Sequence, residues 1–385
     1  MKEIPFLSKV GTDPKTQRRV WRITPPGRNG THAYFTSSSF DLWGRLLASI
    51  EIEGRAQLCR VDLQHGTCHQ LTDLDGLAFQ GYCVLPKRNG AVMCRNGREI
   101  VLIDTETGVT RVVFTAPEGF VAGCPTGDDS GRYLAFVVAE TIPPFTRATA
   151  IYSRMEENFY ARPRCLVCRL DLETDALDVV WGEQRWLSHV LINPIDPDTI
   201  VFCHEGGYLP DSRLWVVSAR QAHKKQPRCL FPETRNHFLV HEFFCPDGVL
   251  GVQFSTWPED HVEMPWGDPR SRHGVLFLDM DGGIVAEYAH TADRSMHVQA
   301  NNDRSLIVAD TLSVAWDQPQ DDQSLSLLRP DAAKVLRPEA LCYHGSSWKT
   351  QHSHPHPSFS PDGRCVAFTS DTGGSLSPYV VELAG

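Results

Sequence analysis

One phrase returns along this chain at intervals of roughly 45 to 55 residues, and its recurrence limits the possible folds more than any other feature. It consists of an entry strand, a tight turn, an apolar strand and a further strand that ends in aspartate. The endings are plainest in Leu58-Cys-Arg-Val-Asp62, Ile100-Val-Leu-Ile-Asp104, Val167-Cys-Arg-Leu-Asp171 and Val275-Leu-Phe-Leu-Asp279. Seven units fall near residues 32–72, 78–115, 120–182, 186–232, 238–290, 296–340 and 354–384. Small sheets of this kind hide their faces by packing radially on one another, so the pattern predicts an all-β, seven-bladed β-propeller. No linker interrupts residues 1–385, which are read as a single propeller domain.

The last unit ends at Tyr379-Val-Val-Glu-Leu383 and lacks a fourth strand. Arg18-Arg-Val-Trp-Arg-Ile-Thr24 alternates apolar and polar residues, stops at Pro25-Pro26, and reads as a strand without a hairpin partner nearby. It is expected to close the last blade beside residues 379–383, which joins the chain's two ends and removes free sheet edges. Helical periodicity is nearly absent. The stretches Thr141 to Arg162 and Trp257 to His273 read as ordered excursions between strands.

The turn that ends each entry strand carries the second constraint. His241 stands six residues before Asp247, His297 six before Asp303 and His356 six before Asp362. Equivalent positions on the innermost strands of a propeller face its central channel, so these histidines converge. Gln351-His-Ser-His-Pro-His356 adds His354, two residues from His356; in a strand their side chains leave the same face and can share one ion. Gln351 matters only as a fourth ligand beside such a triad. His189, in Trp186-Leu-Ser-His189, lies close to the equivalent position of the fourth unit, and His204 follows the next apolar strand. Both read equally well as structural or as substrate-facing. Arg213 is the cation expected in the channel, where its fork suits a carboxylate, although pairing with Asp211 at the rim is the alternative.

A formal net charge of −10 argues against nonspecific nucleic-acid binding. The first nine residues hold no apolar run long enough for a signal peptide, and no 18-residue apolar span occurs, so a cytoplasmic protein without membrane contact is expected. The 12 cysteines lie in apparent strands and read as buried thiols; Cys165-Leu-Val-Cys168 has half a zinc spacing but no partner pair.

Over most of its length, and strongly from Trp186 on, the chain resembles the oligogalacturonate lyases, cytoplasmic seven-bladed propellers of bacterial pectin degradation. The resemblance rests on Trp186-Leu-x-His189, Val201-Phe-Cys-His-Glu-Gly206, Asp211-x-Arg-x-Trp215, His241-Glu-Phe243, His297 with Asn301, Ser347-Trp348 and Gln351-x-x-His-Pro-His-Pro-Ser-Phe359. It implies a manganese ion bound by His297, Gln351, His354 and His356, His241 as the base, and Arg213 beside a small acidic oligosaccharide. Two departures from the family stand out. Thr350 occupies the place of an arginine, leaving Lys349 as the nearby cation, and His32 is displaced by one residue relative to Tyr34-Phe35.

The chemistry implied is β-elimination. Removing the proton on carbon 5 of a uronate builds a carbanion beside a carboxylate, which a divalent ion and an arginine neutralise. A neutral imidazole, with an unperturbed pKa of about 6.5, can take that proton near neutral pH. A metal-dependent lactonase or hydrolase on the same scaffold is the enzymatic rival, and a non-catalytic binding propeller is the other; the latter needs no histidine cluster.

Overall fold

The computed structural model describes residues 1–5, 8–143, 155–207, 209–220, 226–261, 268–290, 295–311 and 323–383. The chain folds as a β-propeller of small antiparallel sheets. Five sheets follow the sequence units one by one, and an eight-stranded sheet holds the strands from His237–Phe244 to Val335–Tyr343. That larger sheet divides into two antiparallel halves of four strands. Among the described residues their strands pair only through a short parallel ladder, Ala289 with Val335 and His290 with Leu336, while Phe243, Val275 and Phe277 pack on Val298 and Ile307 across the boundary.

Apolar clusters lie between successive units rather than at one centre. Leu47, Leu58, Met93 and Val101 join the first unit to the second, and Val308, Leu325, Val366 and Phe368 join the sixth to the last. A further cluster sets Ala367 and Val380 against Leu46, Ala48 and Val61, so the last unit packs on the first and the ring closes. Burial between two neighbours explains why middle strands such as Thr199–His204 carry an unbroken apolar run, Ile200-Val-Phe-Cys203. Outer strands such as Thr110–Thr115 and Ile284–His290 are largely exposed or half-buried and carry a weak sequence signal.

The expected closure is present. Arg19–Arg22 pairs antiparallel with Ser377–Glu382, setting Val20 opposite Val381 and Trp21 opposite Val380. The expectation that this strand has no hairpin partner is corrected, because Lys9–Thr12 pairs along its other edge. The connecting turn is built on Asp13, whose carboxylate accepts from the backbone N–H of Lys15, Thr16 and Tyr343. Lys2–Ile4 also adds a fifth strand to the first unit, beside Thr67–Gln70. Within Thr141 to Arg162, read from the sequence as an ordered excursion between strands, the described residues include a short α-helix, Met155–Ala161. All 12 cysteines are free thiols, and Cys165 and Cys168 are buried in the strand Arg164–Asp171.

The shared position of the histidines has a backbone cause. In Leu187–Ile192, His237–Phe244 and Ser295–Ala300 the pairing slips by one residue, between Ser188 and Leu191, Val240 and Phe243, and Ser295 and Val298. These are β-bulges, and His189, His241 and His297 sit in them. His189 and His241 have left-handed backbones, φ 45° and 60°, and His356 joins them at φ 48°. A non-glycine residue held there costs roughly 1–2 kcal/mol, a strain that tends to collect at functional sites.

Candidate functional site

Three of the expected ligands meet. His297, His354 and His356 are fully buried, and one ring nitrogen from each lies within 4.8 Å of the others. The route by which His354 and His356 converge differs from the strand alternation expected. They follow a 3-10 turn, Gln351–Ser353, and precede the short strand Ser358–Phe359; extended backbone at His354 and left-handed backbone at His356 turn both rings inward. Gln351 reaches the same place, its Nε2 lying 3.3 Å from His356 Nε2. Thr350 caps that turn, accepting from the Ser353 N–H while Ser353 Oγ accepts from its own N–H.

The surroundings are those of a cation site. Asp310, buried on the strand Ile307–Thr311, accepts from both Nδ1 (2.6 Å) and the backbone N–H (2.5 Å) of His297, which fixes the ring and leaves Nε2 for a ligand bond. Burial pushes the Asp310 carboxyl up to about 7, against the lowering effect of the His297 backbone N–H and the neighbouring His344 and His354 rings. Both ring nitrogens of His354 are buried without a hydrogen-bond partner. Each costs about 1–3 kcal/mol in that state, and coordination removes the cost at the one nitrogen that binds the ion. Burial first, then the neighbouring His297, lowers the His354 ring to about 3, and His356 lies well below its ordinary value for the same reasons. Neutral imidazoles are the form that binds metal.

The His356 backbone is itself braced. His32 Nε2 donates to the His356 carbonyl at 2.7 Å, while its Nδ1 accepts from the Thr369 hydroxyl at 2.7 Å. Gln80, from the innermost strand of the second unit, bridges His356 Nδ1 (3.3 Å) and His352 Nδ1 (3.1 Å). Trp348 packs 4.7 Å from His354.

His241 stands beside this cluster, its ring centre 4.3 Å from that of His297 and its Nδ1 3.4 Å from Gln253 Oε1. Burial and the adjacent His297 and His189 rings hold its pKa well below the ordinary value, which favours the neutral ring. Tyr34 lies at the hub, with ring contacts to His189, His297 and His356.

A family model for oligogalacturonate lyase matches residues 1–385. The chain belongs to the oligogalacturonate lyase family. An oligogalacturonide lyase of Pectobacterium atrosepticum is 25% identical over 393 residues, covering 99% of this chain and 97% of that protein. A solved oligogalacturonate lyase in complex with manganese superposes with a TM-score of 0.84 at 26% identity, covering 99% of this chain and 97% of that one. An oligogalacturonate lyase of Vibrio parahaemolyticus shares the fold, with a TM-score of 0.83, 24% identity and coverage of 99% and 98%.

Other expected residues of this oligogalacturonate lyase family member are placed differently from the sequence reading. Arg213 is only 5% exposed and does not pair with Asp211. Its Nε donates to Glu242 (2.5 Å) and its Nη1 to Glu205 (2.9 Å), so its charge reaches the site already compensated by two buried carboxylates. His189 completes this group, with Nδ1 2.8 Å from Glu242 Oε2. His204 does not join the cluster: it is buried, stacked on Trp215, and held between Glu183 (2.9 Å) and Arg185 (2.8 Å). Lys349 is exposed beside Trp348 and makes no ion pair among the described contacts.

Sequence reading missed Asp310, Glu242 and Gln80, and gave His32 no role. Asp310 had a signal, since an acid closing the apolar run Leu306-Ile-Val-Ala must be paired if buried. Gln80 and His32 had none, because their contacts join strands hundreds of residues apart in sequence.

Proposed function

We propose that residues 1–385 form one seven-bladed propeller that acts in the cytoplasm as a manganese-dependent lyase, cleaving short oligogalacturonates by β-elimination. The observation that carries this reading is a buried three-histidine cluster, backed by a carboxylate, directly against a neutral and strained His241. The seven blades rest on the five small sheets and the two halves of the large one. The compartment rests on the sequence, and among the described residues no helix is long and apolar enough to cross a membrane.

In this proposal His297, His354 and His356 hold the ion, with Gln351 as the fourth ligand. A divalent cation there supplies Lewis-acid neutralisation of the uronate carboxylate. His241 takes the proton from carbon 5. Its neutral state is secured by burial and by neighbouring imidazoles, so it stays unprotonated through the neutral range. Three of the five guanidinium N–H groups of Arg213 bind Glu205 and Glu242; the others are the donors it can offer a substrate carboxylate. Its net contribution is orientation more than charge. Lys349, exposed at the edge, is the mobile cation that meets the oligosaccharide. His204 serves the wall through Trp215 rather than the substrate.

The test is incubation with digalacturonate, with and without chelator, followed by product analysis. A lyase yields an unsaturated uronate, detected by its ultraviolet absorbance, and the yield falls with chelation. Products carrying only a new carboxylate, or saturated sugars, would overturn the reading.

A further inference from the structure

Elimination across carbons 4 and 5 of a galacturonate in its ordinary chair takes an axial proton from one face of the ring, while the axial glycosidic oxygen leaves from the other. One side chain cannot serve both faces. Building on the lyase reading above, we propose that His189 is a catalytic residue that protonates the departing glycosidic oxygen.

His189 occupies on Leu187–Ile192 the place that His241 occupies on His237–Phe244, the bulged residue with left-handed backbone, and the two strands are neighbours in the ring. Equal position is combined with opposite surroundings. His241 faces the His297 imidazole and the Gln253 amide. His189 faces a carboxylate: its Nδ1 is 2.8 Å from Glu242 Oε2, while Glu242 Oε1 accepts from Arg213. This is a charge contact outside hydrogen-bond angles, yet it sets Nδ1 against an oxygen that only accepts, so Nδ1 carries the hydrogen and Nε2 is the nitrogen left for the substrate. The side chain retains 21% exposure, and Tyr34 lies edge-on to the ring at 5.8 Å and 4.8 Å from His356. His189 thus borders the same space as the three-histidine cluster, from the side of the fourth unit.

The step balances. His241 accepts the carbon 5 proton, and the C–H electron pair becomes the double bond between carbons 4 and 5. The carbon 4–oxygen bond breaks, the oxygen leaves with its electron pair, and His189 Nε2 gives it a proton. Solvent then takes one proton from His241 and returns one to His189.

The test varies the leaving group. Digalacturonate is compared with galacturonates carrying aryl ethers at carbon 4, whose phenolates depart without protonation. In the wild-type protein, turnover should depend weakly on the acidity of the phenol. His189→Gln should lower turnover of digalacturonate by about a hundredfold or more, the range for a lost acid, yet keep the nitrophenyl ether within a few-fold. His241→Ala should depress both. Equal loss on both substrates in a normally melting His189→Gln protein, or no loss on either, would overturn the proposal. So would a steep leaving-group dependence in the wild type, which needs no variant to fold. If the wild type forms no unsaturated product from any substrate, the lyase reading fails and takes this one with it.

Discussion

Titrating metal-free protein with manganese while following its melting temperature probes the three-histidine cluster directly. The ion binds the folded chain alone, so at a hundred times its dissociation constant it adds about 2.7 kcal/mol of stability. A chain of 385 residues unfolds with an entropy near 0.8 kcal/mol/K, so the melting temperature should rise by about 3 °C. His354→Ala removes the two ring nitrogens that are buried without partners, together with one ligand. Relief of their desolvation offsets part of the cavity left beside Trp348, so the metal-free variant should melt close to wild type while its response to manganese disappears. Asp310→Asn keeps all three imidazoles but weakens the hold on His297 Nδ1. Loss of such a partner lowers affinity about 10- to 100-fold, leaving roughly 0.4–1.4 kcal/mol of stabilisation at the same manganese concentration, a rise of under 2 °C. Differential scanning fluorimetry with parallel elemental analysis reads both. A full manganese response in His354→Ala would place the ion elsewhere and refute the reasoning.

The other expectations address separate parts of the site and scaffold. His241→Ala should keep its manganese and lower turnover on digalacturonate by about a hundredfold or more; near-native turnover would send the proton elsewhere. Arg213→Ala leaves Glu205 and Glu242 uncompensated and should cost about 3–5 kcal/mol, a fall of roughly 4–6 °C in melting temperature, with Arg213→Lys between the two. Arg213 and His189 hold the Glu205 carboxyl, against the opposing effect of burial, at about 2, below its ordinary 4.5. Its contribution, on the order of 3 kcal/mol, is therefore complete above about pH 4.5 and lost as pH falls toward 2. Glu205→Gln should flatten the stability profile in that window, and an unchanged profile would count against the pairing. A chain beginning at residue 27 loses the strand beside Ser377–Glu382 and the buried Ile23. It should melt at least about 3 °C lower; an unchanged melting temperature would show that the closure is dispensable.

The repeat, the strand that closes the last unit and the triad His297, His354, His356 were legible in the sequence, because each is written in local order: alternation, turn residues, and a constant offset from histidine to aspartate. Burial on both faces makes middle strands predominantly apolar, and that is a signal a single chain carries. The hairpin partner Lys9–Thr12 escaped notice because an edge strand with little burial leaves no such pattern. What each imidazole meets was decided by tertiary structure. His189, His241 and His297 each sit in a β-bulge, yet one meets Glu242, one meets other imidazoles and one meets Asp310. Arg213 shows the same limit, since only the approach of Glu205 and Glu242 in space turns an expected bare cation into a compensated one. Position along a strand is periodic and can be read from spacing; the charge a side chain meets comes from residues brought close by folding, and spacing does not encode it.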